Sequence, residues 1–314
     1  MSTKYTIKTL ALCIYISLSM NLGAQELDFL KADGTQYDAS QVPNMIVTEH
    51  LKQQAKLIQK GKVIKRFASY GKCQEAWQTP ESTIVCGSLG IWKYDQTNTR
   101  EIYFEPQLRI LEIHSCEPLS NGDMLVAANK SILEISPNGK IKKSIKLDFL
   151  REESRLQIKS IKKLADGGYL ISSCGPNKIY RLDKKGWVKR VIELNLIKAT
   201  VVTDRIHDVE LLKNGRIMIS TGFGASLIEV NENDEITWSL KQQDQEELGL
   251  VYLGGFIVRD NGNIIATAYK SKYPMFEITR EKNLVWKLRR NKDTGLDKPS
   301  SLNLVTANLS PSME

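Results

Sequence analysis

The sequence is poor in histidine, cysteine and proline, and each scarcity excludes something. Three histidines and five cysteines stand among 314 residues, with no CxxC pair and no HExxH helix. Neither a zinc centre nor a redox dithiol is encoded, and no metal and no cofactor are expected. A P-loop and a GxSxG nucleophile elbow are also missing. With 9 prolines, 25% charged and 41% hydrophobic residues, the chain is neither a collagen-like fibre nor a disordered tail. Long apolar runs are lacking after the first 24 residues. There, Lys4 and Lys8 precede an apolar run over residues 10–20, and Leu22-Gly23-Ala24 offers a small-residue cleavage site. That is the pattern of a secretory signal peptide over 1–24, shorter than the roughly 20 apolar residues of a membrane anchor. The mature chain is expected to be secreted or periplasmic, with no membrane insertion. Losing Lys4 and Lys8 lowers the formal charge from +8 to +6. Cys73, Cys86, Cys116 and Cys174 then remain, and their three possible pairings stay open.

A repeat fills the rest. Asn121-Gly122, Asp166-Gly167, Asn214-Gly215 and Asn261-Gly262 are hairpin-turn dipeptides whose glycines lie 45, 48 and 47 residues apart. An apolar run follows each, such as Met124-Leu125-Val126 or Ile217-Met218-Ile219. Next comes an alternating strand, such as Ile132-Leu133-Glu134-Ile135 or Leu227-Ile228-Glu229-Val230, then a second turn and a closing strand. Two less regular copies lie upstream, and the first of them has only three strands. Aligning Gly61, Arg100, Gly139, Gly186, Asp234 and Lys282 gives six copies. Tandem four-stranded units of 40–50 residues make a β-propeller. The expected fold is therefore all-β, a six-bladed β-propeller over 45–314, closed by pairing residues 301–305 with the N-terminal blade. Closure removes the bare edge of that incomplete blade. Residues 25–44 form an N-terminal extension along the rim.

The unit His207-Asp208-Val209-Glu210-Leu211-Leu212-Lys213-Asn214-Gly215-Arg216-Ile217, continuing to Ile236-Thr237-Trp238, resembles repeats of the PQQ-like and arylsulfotransferase-like propellers. The resemblance covers nearly all of the mature chain and implies fold more than chemistry. PQQ enzymes of that kind have eight blades and an acidic metal site, and neither is visible here. Arylsulfotransferases of that kind use a channel histidine as sulfate acceptor, a position that His114 and His207 match.

In a propeller the first strand of each blade lines the central channel. Counting eight residues back from each turn places Cys73, His114, Lys159, His207 and Gly254 at one mouth, with Ser301 near the equivalent place in the closing strand. His50 belongs to a loop on the same face. The candidate ligand-binding residues are Lys159, His114, His207, Arg205, Asp208, His50, Tyr269 and Lys270. Lys159 supplies fixed charge; His114 and His207 donate hydrogen bonds or act as acid and base, and so are also the catalytic candidates. Arg205 and Asp208 flank His207, and Tyr269 with Lys270 forms an aromatic-basic loop. The partner expected is a small anion: a sulfate, carboxylate or phosphate, such as an acidic or sulfated glycan fragment. Its binding should strengthen as the histidines protonate near pH 6.5. An enzyme acting on sulfated or uronic substrates and a scaffold for another protein stay open, as does a reading in which both histidines merely fill the channel. Trp92, Trp187, Trp238 and Trp286 recur at repeat spacing and are expected between blades. Gly222-Phe223-Gly224 reads as a turn. Lysine and arginine crowd the closing strands, where charge blocks edge-to-edge pairing, so no nucleic-acid partner is needed to explain them.

Overall fold

The turn chemistry of the sequence sets the strands. In four blades an Asn or Asp side chain accepts the amide two residues on: Asn121 from Asp123, Asp166 from Gly168, Asn214 from Arg216 and Asn261 from Asn263, at 2.9–3.0 Å. The following glycine takes a positive φ, 83° at Gly122 and 85° at Gly262, which a residue with a side chain rarely adopts. Each turn returns the chain antiparallel, and alternating residues then bury one face against each neighbouring blade.

The computed structural model describes residues 24–106, 112–150, 157–173, 177–193, 204–292 and 295–305. The segment 1–24 read as a signal peptide, Ala24 excepted, lies outside these residues, as does Cys174. Six antiparallel sheets form a ring, a six-bladed propeller. Blade 2 runs Cys73–Gln78, Thr83–Gly87, Gly90–Tyr94 and Arg100–Phe104; blade 3 runs Ile113–Pro118, Met124–Ala128, Ser131–Ile135 and Ile141–Lys146. Blade 4 runs Ile158–Lys163, Tyr169–Ser173, Lys178–Leu182 and Val188–Glu193; blade 5 runs Asp204–Leu211, Ile217–Gly222, Leu227–Val230 and Ile236–Leu240. Blade 6 holds Phe256–Val258, Ile264–Thr267, Met275–Ile278 and Leu284–Leu288. Blade 1 holds Met45–Glu49, Gln54–Gln59 and Lys62–Ala68, and takes its inner strand from Ser301–Leu304. Ser301 pairs with Thr48 and Leu304 with Met45, so the ring closes as the repeat implies. Among the described residues, helix is confined to 3₁₀ turns such as Ala39–Gln41 and His50–Lys52.

The N-terminal extension does more than follow the rim. Gln25–Glu26 adds an outer strand to blade 1, and Phe29–Leu30 adds one to blade 6. One short segment therefore bridges, on the outside, the junction that the closing strand joins on the inside. Its core holds Phe29, Met45, Val47, Trp286, Leu288 and Leu302, all buried, with Phe29 edge-on to Trp286 at 5.1 Å. Burying each such side chain contributes about 1.5–3 kcal/mol. Under the closing segment lies a buried ion pair, Lys56 Nζ to Glu49 Oε2 at 2.6 Å. Glu49 also accepts the Asp297 amide at 3.0 Å, and Lys56 donates to the Gly295 carbonyl at 2.5 Å. All these partners lie on the segment that leads into the closing strand, which fixes its path over blade 1.

Of the repeated tryptophans, Trp286 is fully buried and Trp238 is half-buried beneath the Arg280 guanidinium at 4.8 Å. Trp187 corrects the expectation: it is 70% exposed. It follows the Lys185-Gly186 turn on the outermost strand of blade 4, where no further strand covers it. Cys73, Cys86 and Cys116 are buried free thiols.

Candidate functional site

A β-bulge at the start of the inner strand in blades 2–5 builds the site. The ladder slips between Cys73 and Glu75, Ile113 and Ser115, Ile158 and Ser160, and, over a longer stretch, Asp204 and Asp208. The residues left over are Gln74, His114, Lys159 and, in the longer slip, His207. A bulged residue loses its ladder partner and its side chain is re-aimed. All four line one cavity of about 290 Å³ at the channel mouth, joined by His50 from its 3₁₀ turn and by Ser300 before the closing strand. The channel thus carries an upper layer of bulge side chains. A second layer beneath it is set by the same inner strands: Glu75, Ser115, Ser160, Asp208 and Ser301.

Seven of the eight residues singled out in the sequence line this cavity: His50, His114, Lys159, His207, Asp208, Tyr269 and Lys270. The eighth, Arg205, has its side chain outside the described residues. In blade 2 the count of eight corrects by one. Its first turn has four residues between Gln78 and Thr83, where blade 3 has five between Pro118 and Met124, so Gln74 lines the cavity and Cys73 sits in the core. Gly254 supplies space and no side chain. A Cβ there would stand 2.4 Å from the Ser300 carbonyl oxygen, so the glycine admits the closing strand.

Burial strips the imidazoles of their protons. His50 falls to about 4 and His114 to about 3, first through burial, then through Lys159 and Lys72. His207 lies well below its ordinary value, again through burial and then Lys159 and His50. The expected titration near pH 6.5 is thereby corrected: the three rings are neutral at physiological pH. His50 hydrogen-bonds the Cys73 backbone and the Gln74 side chain. His114 Nε2 and His207 Nδ1 are buried with no hydrogen-bond partner, and His114 is only 7% exposed.

On the wall that carries Tyr269 and Lys270, sequence reading missed Tyr252 and Phe223. Tyr252 packs edge-on against His207 (5.4 Å between ring centroids), Phe223 (4.7 Å) and Tyr269 (5.6 Å). Gly222-Phe223-Gly224 is the expected turn, but it holds Phe223 at the mouth, and Leu253 pairs with Gly222 to bring Tyr252 alongside. The signal available was position: Tyr252 stands in the segment entering blade 6, at the same end of the channel as the bulges of blades 2–5.

The second layer stitches blades together. Glu75 Oε2 accepts from Ser115 Oγ at 3.0 Å and from the Cys116 amide at 2.7 Å; Ser160 Oγ donates to Asp208 Oδ1 at 2.5 Å. Beyond it opens a larger cavity of about 550 Å³ at the other mouth, lined by Glu75, Glu117, Lys162, Asp208 and Glu210. Burial pushes Glu75 up to about 7 against the pull of Lys162, and raises Glu117 and Glu210 likewise. Burial alone would lower Lys162, but Asp208 and the three glutamates hold it above its ordinary value.

No protein-family model matches the chain, and no curated protein matches it either. Solved structures do. A protein of unknown function from Bacteroides caccae is 17% identical, with 83% of this chain and 98% of that one covered at a TM-score of 0.69. A catalytically inactive histidine-to-alanine variant of virginiamycin B lyase from Staphylococcus aureus, with quinupristin, is 12% identical over 90% and 89%, at 0.57. The extracellular domain of a hybrid two-component system from B. thetaiotaomicron is 13% identical, with 87% of this chain and 38% of that one covered, at 0.53. At these identities the likeness is one of fold. No helix among the described residues is long and apolar enough to cross a membrane.

Proposed function

We propose that this is an exported propeller that binds a small anionic ligand, an acidic or sulfated glycan fragment, at its histidine-bearing mouth. The observation that carries the reading is the pair of buried, unpartnered imidazole nitrogens, His114 Nε2 and His207 Nδ1, in a cavity shared with Lys159. A buried polar atom without a partner costs about 1–3 kcal/mol, and a ligand group that supplies the partner recovers it. Neutral imidazole offers one donor and one acceptor, and Lys159 offers the charge. A charge-assisted bond here contributes about 1.5–3 kcal/mol, so Lys159→Ala should weaken binding by about tenfold or more. The test is a thermal-shift screen of the mature protein against acidic oligosaccharides and sulfate esters, followed by calorimetry with wild type, Lys159→Ala and His207→Ala. Because the rings are already neutral, affinity should change less than about threefold between pH 8 and 6. Equal affinities in all three proteins would sink the reading.

A second reading has its own support. Lys159 stands among imidazoles in the cavity, where it can neutralise a carboxylate, and one structural neighbour is a lyase that a histidine substitution inactivates. In this reading His114 or His207 takes the proton α to a uronate carboxylate and Lys159 neutralises the carboxylate. The C–O bond at the β carbon breaks as the C=C bond forms, and the departing oxygen takes a proton from the imidazolium or from water. Incubation with uronic oligosaccharides, followed by the ultraviolet absorbance of an unsaturated product, separates lyase from binder. The arylsulfotransferase-like alternative would instead pass sulfate from an aryl ester to one of these rings, and is read by release of the phenol.

A further inference from the structure

The two walls of the upper cavity differ in kind. One carries Lys159 and the imidazoles; the other is the fan of Phe223, Tyr252 and Tyr269, with Lys270 Nζ 6.0 Å from the Phe223 centroid and 5.6 Å from that of Tyr269. A naked inorganic anion would use the first wall and leave the second wet. The cavity, about 290 Å³, is at the small end of ligand pockets, which run from about 300 to 1,000 Å³. That is room for one substituted six-membered ring. Its floor and sides are polar, with Gln74 paired to His50, Ser160 to Asp208 and Ser300 to Thr48.

We propose that the site selects a single acidic pyranose ring, the terminal residue where the ligand is a chain, by placing its acidic group at Lys159 and its apolar face on the Tyr252 fan. This rests on the anion reading above and adds a ligand class to it. Aromatic side chains present broad apolar faces, which suit the C–H face of a sugar. The unpartnered His114 Nε2 and His207 Nδ1 then discriminate against an arene acid, because an unhydroxylated ring brings no hydroxyl to pair with them. Tyr252 is the specificity-determining residue, and Phe223, 37% exposed, is its outer support.

Calorimetry with glucuronic acid, a glucuronate-terminated trisaccharide, phenyl sulfate, inorganic sulfate and acetate tests this. Glucuronic acid should bind at least about tenfold more tightly than sulfate, acetate or phenyl sulfate, and the trisaccharide within about threefold of the monomer. Tyr252→Ala and Phe223→Ala should weaken glucuronate by about tenfold and about threefold while leaving the weak sulfate binding unchanged, and Tyr252→Phe should keep the affinity. Phe223 lies at the exposed mouth, so its variant is expected to fold whatever Tyr252→Ala does. Sulfate binding as tightly as glucuronate, phenyl sulfate binding more tightly, or equal losses for both ligands in the Tyr252→Ala and Phe223→Ala variants would overturn the ring selection while leaving the anion site standing. Lys159→Ala without effect on any ligand would instead remove the anion site itself.

Discussion

The two mouths of the channel are built from the same inner strands, a few residues apart, yet they hold opposite chemistry. At the upper mouth burial keeps bases unprotonated: His50, His114 and His207 beside Lys159. At the lower mouth burial holds acids toward their protonated form: Glu75, Glu117 and Glu210 around Lys162. Their hydrogen bonding differs as well. Glu75 and Asp208 are spoken for by Ser115, the Cys116 amide and Ser160, and Glu117 accepts the Lys163 amide at 2.9 Å. His114 Nε2 and His207 Nδ1 have no such partner. Polar groups that hold a ring together are satisfied within it, and these two are not; under the proposed function their partner is the ligand. The bulges are the device that separates the classes, because they lift one side chain per strand out of the ladder.

The most severe test removes what both mouths share. Ser301 lines both cavities and Asn303 the lower one, so deleting residues 296–314 takes out part of each and the inner strand of blade 1. The variant should be insoluble or lose its cooperative melting transition; a melt near the wild-type temperature would refute ring closure by that strand. Next in size is acid sensitivity. His114 titrates near 6.5 in the unfolded chain and near 3 in the fold. Below pH 6.5 the unfolded state therefore binds a proton that the folded state does not. Stability should fall as pH drops, by about 1.4 kcal/mol per pH unit for His114 alone. Glu75 runs the other way: folded it titrates near 7, unfolded near 4.5, so its contribution is present in acid and lost as pH rises across that window. Urea denaturation from pH 4 to 8 should show His114→Gln flattening the acid limb and Glu75→Gln flattening the rise of pH toward 7. The mildest test contrasts the layers directly. Glu75→Ala leaves the Ser115 hydroxyl donor and the Cys116 amide without their acceptor and should cost about 1–3 kcal/mol, whereas His114→Leu removes an orphan and should change stability by less than about 1 kcal/mol. Matching losses in the two variants, measured by urea denaturation at pH 7, would erase the distinction.

Much of this was legible because a repeat states its rule several times. The Asn-Gly and Asp-Gly turns give the period, and the period gives the blade count and the closing strand. Counting back from the turns also locates His114, Lys159 and His207, since their blades share one turn length. Where turn length changes, as before Thr83, the count lands on Cys73 instead of Gln74. Tyr252 and Phe223 sit in irregular segments whose course is set by the Leu253–Gly222 bridge, a contact between residues 31 apart that no local pattern announces. The histidines' protonation was equally out of reach. Types and spacing give an imidazole near 6.5, and only the assembled ring supplies the burial and the lysines that lower it.

The outer strand Phe29–Leu30 rests on Lys287 and Leu288, and the first blade takes its inner strand from residues 301–304. The earliest part of the propeller to be synthesised is thus the last to be completed, at the inner edge of its first blade. A chain emerging from its N-terminus must keep the inner edge of Met45–Glu49 and the strand Phe29–Leu30 unpaired until about 250 further residues have followed. Contacts so distant in sequence are slow to form. Ring closure therefore waits for residues 284–304, and an interruption of translation before them leaves two bare strand edges, the exposure that invites aggregation.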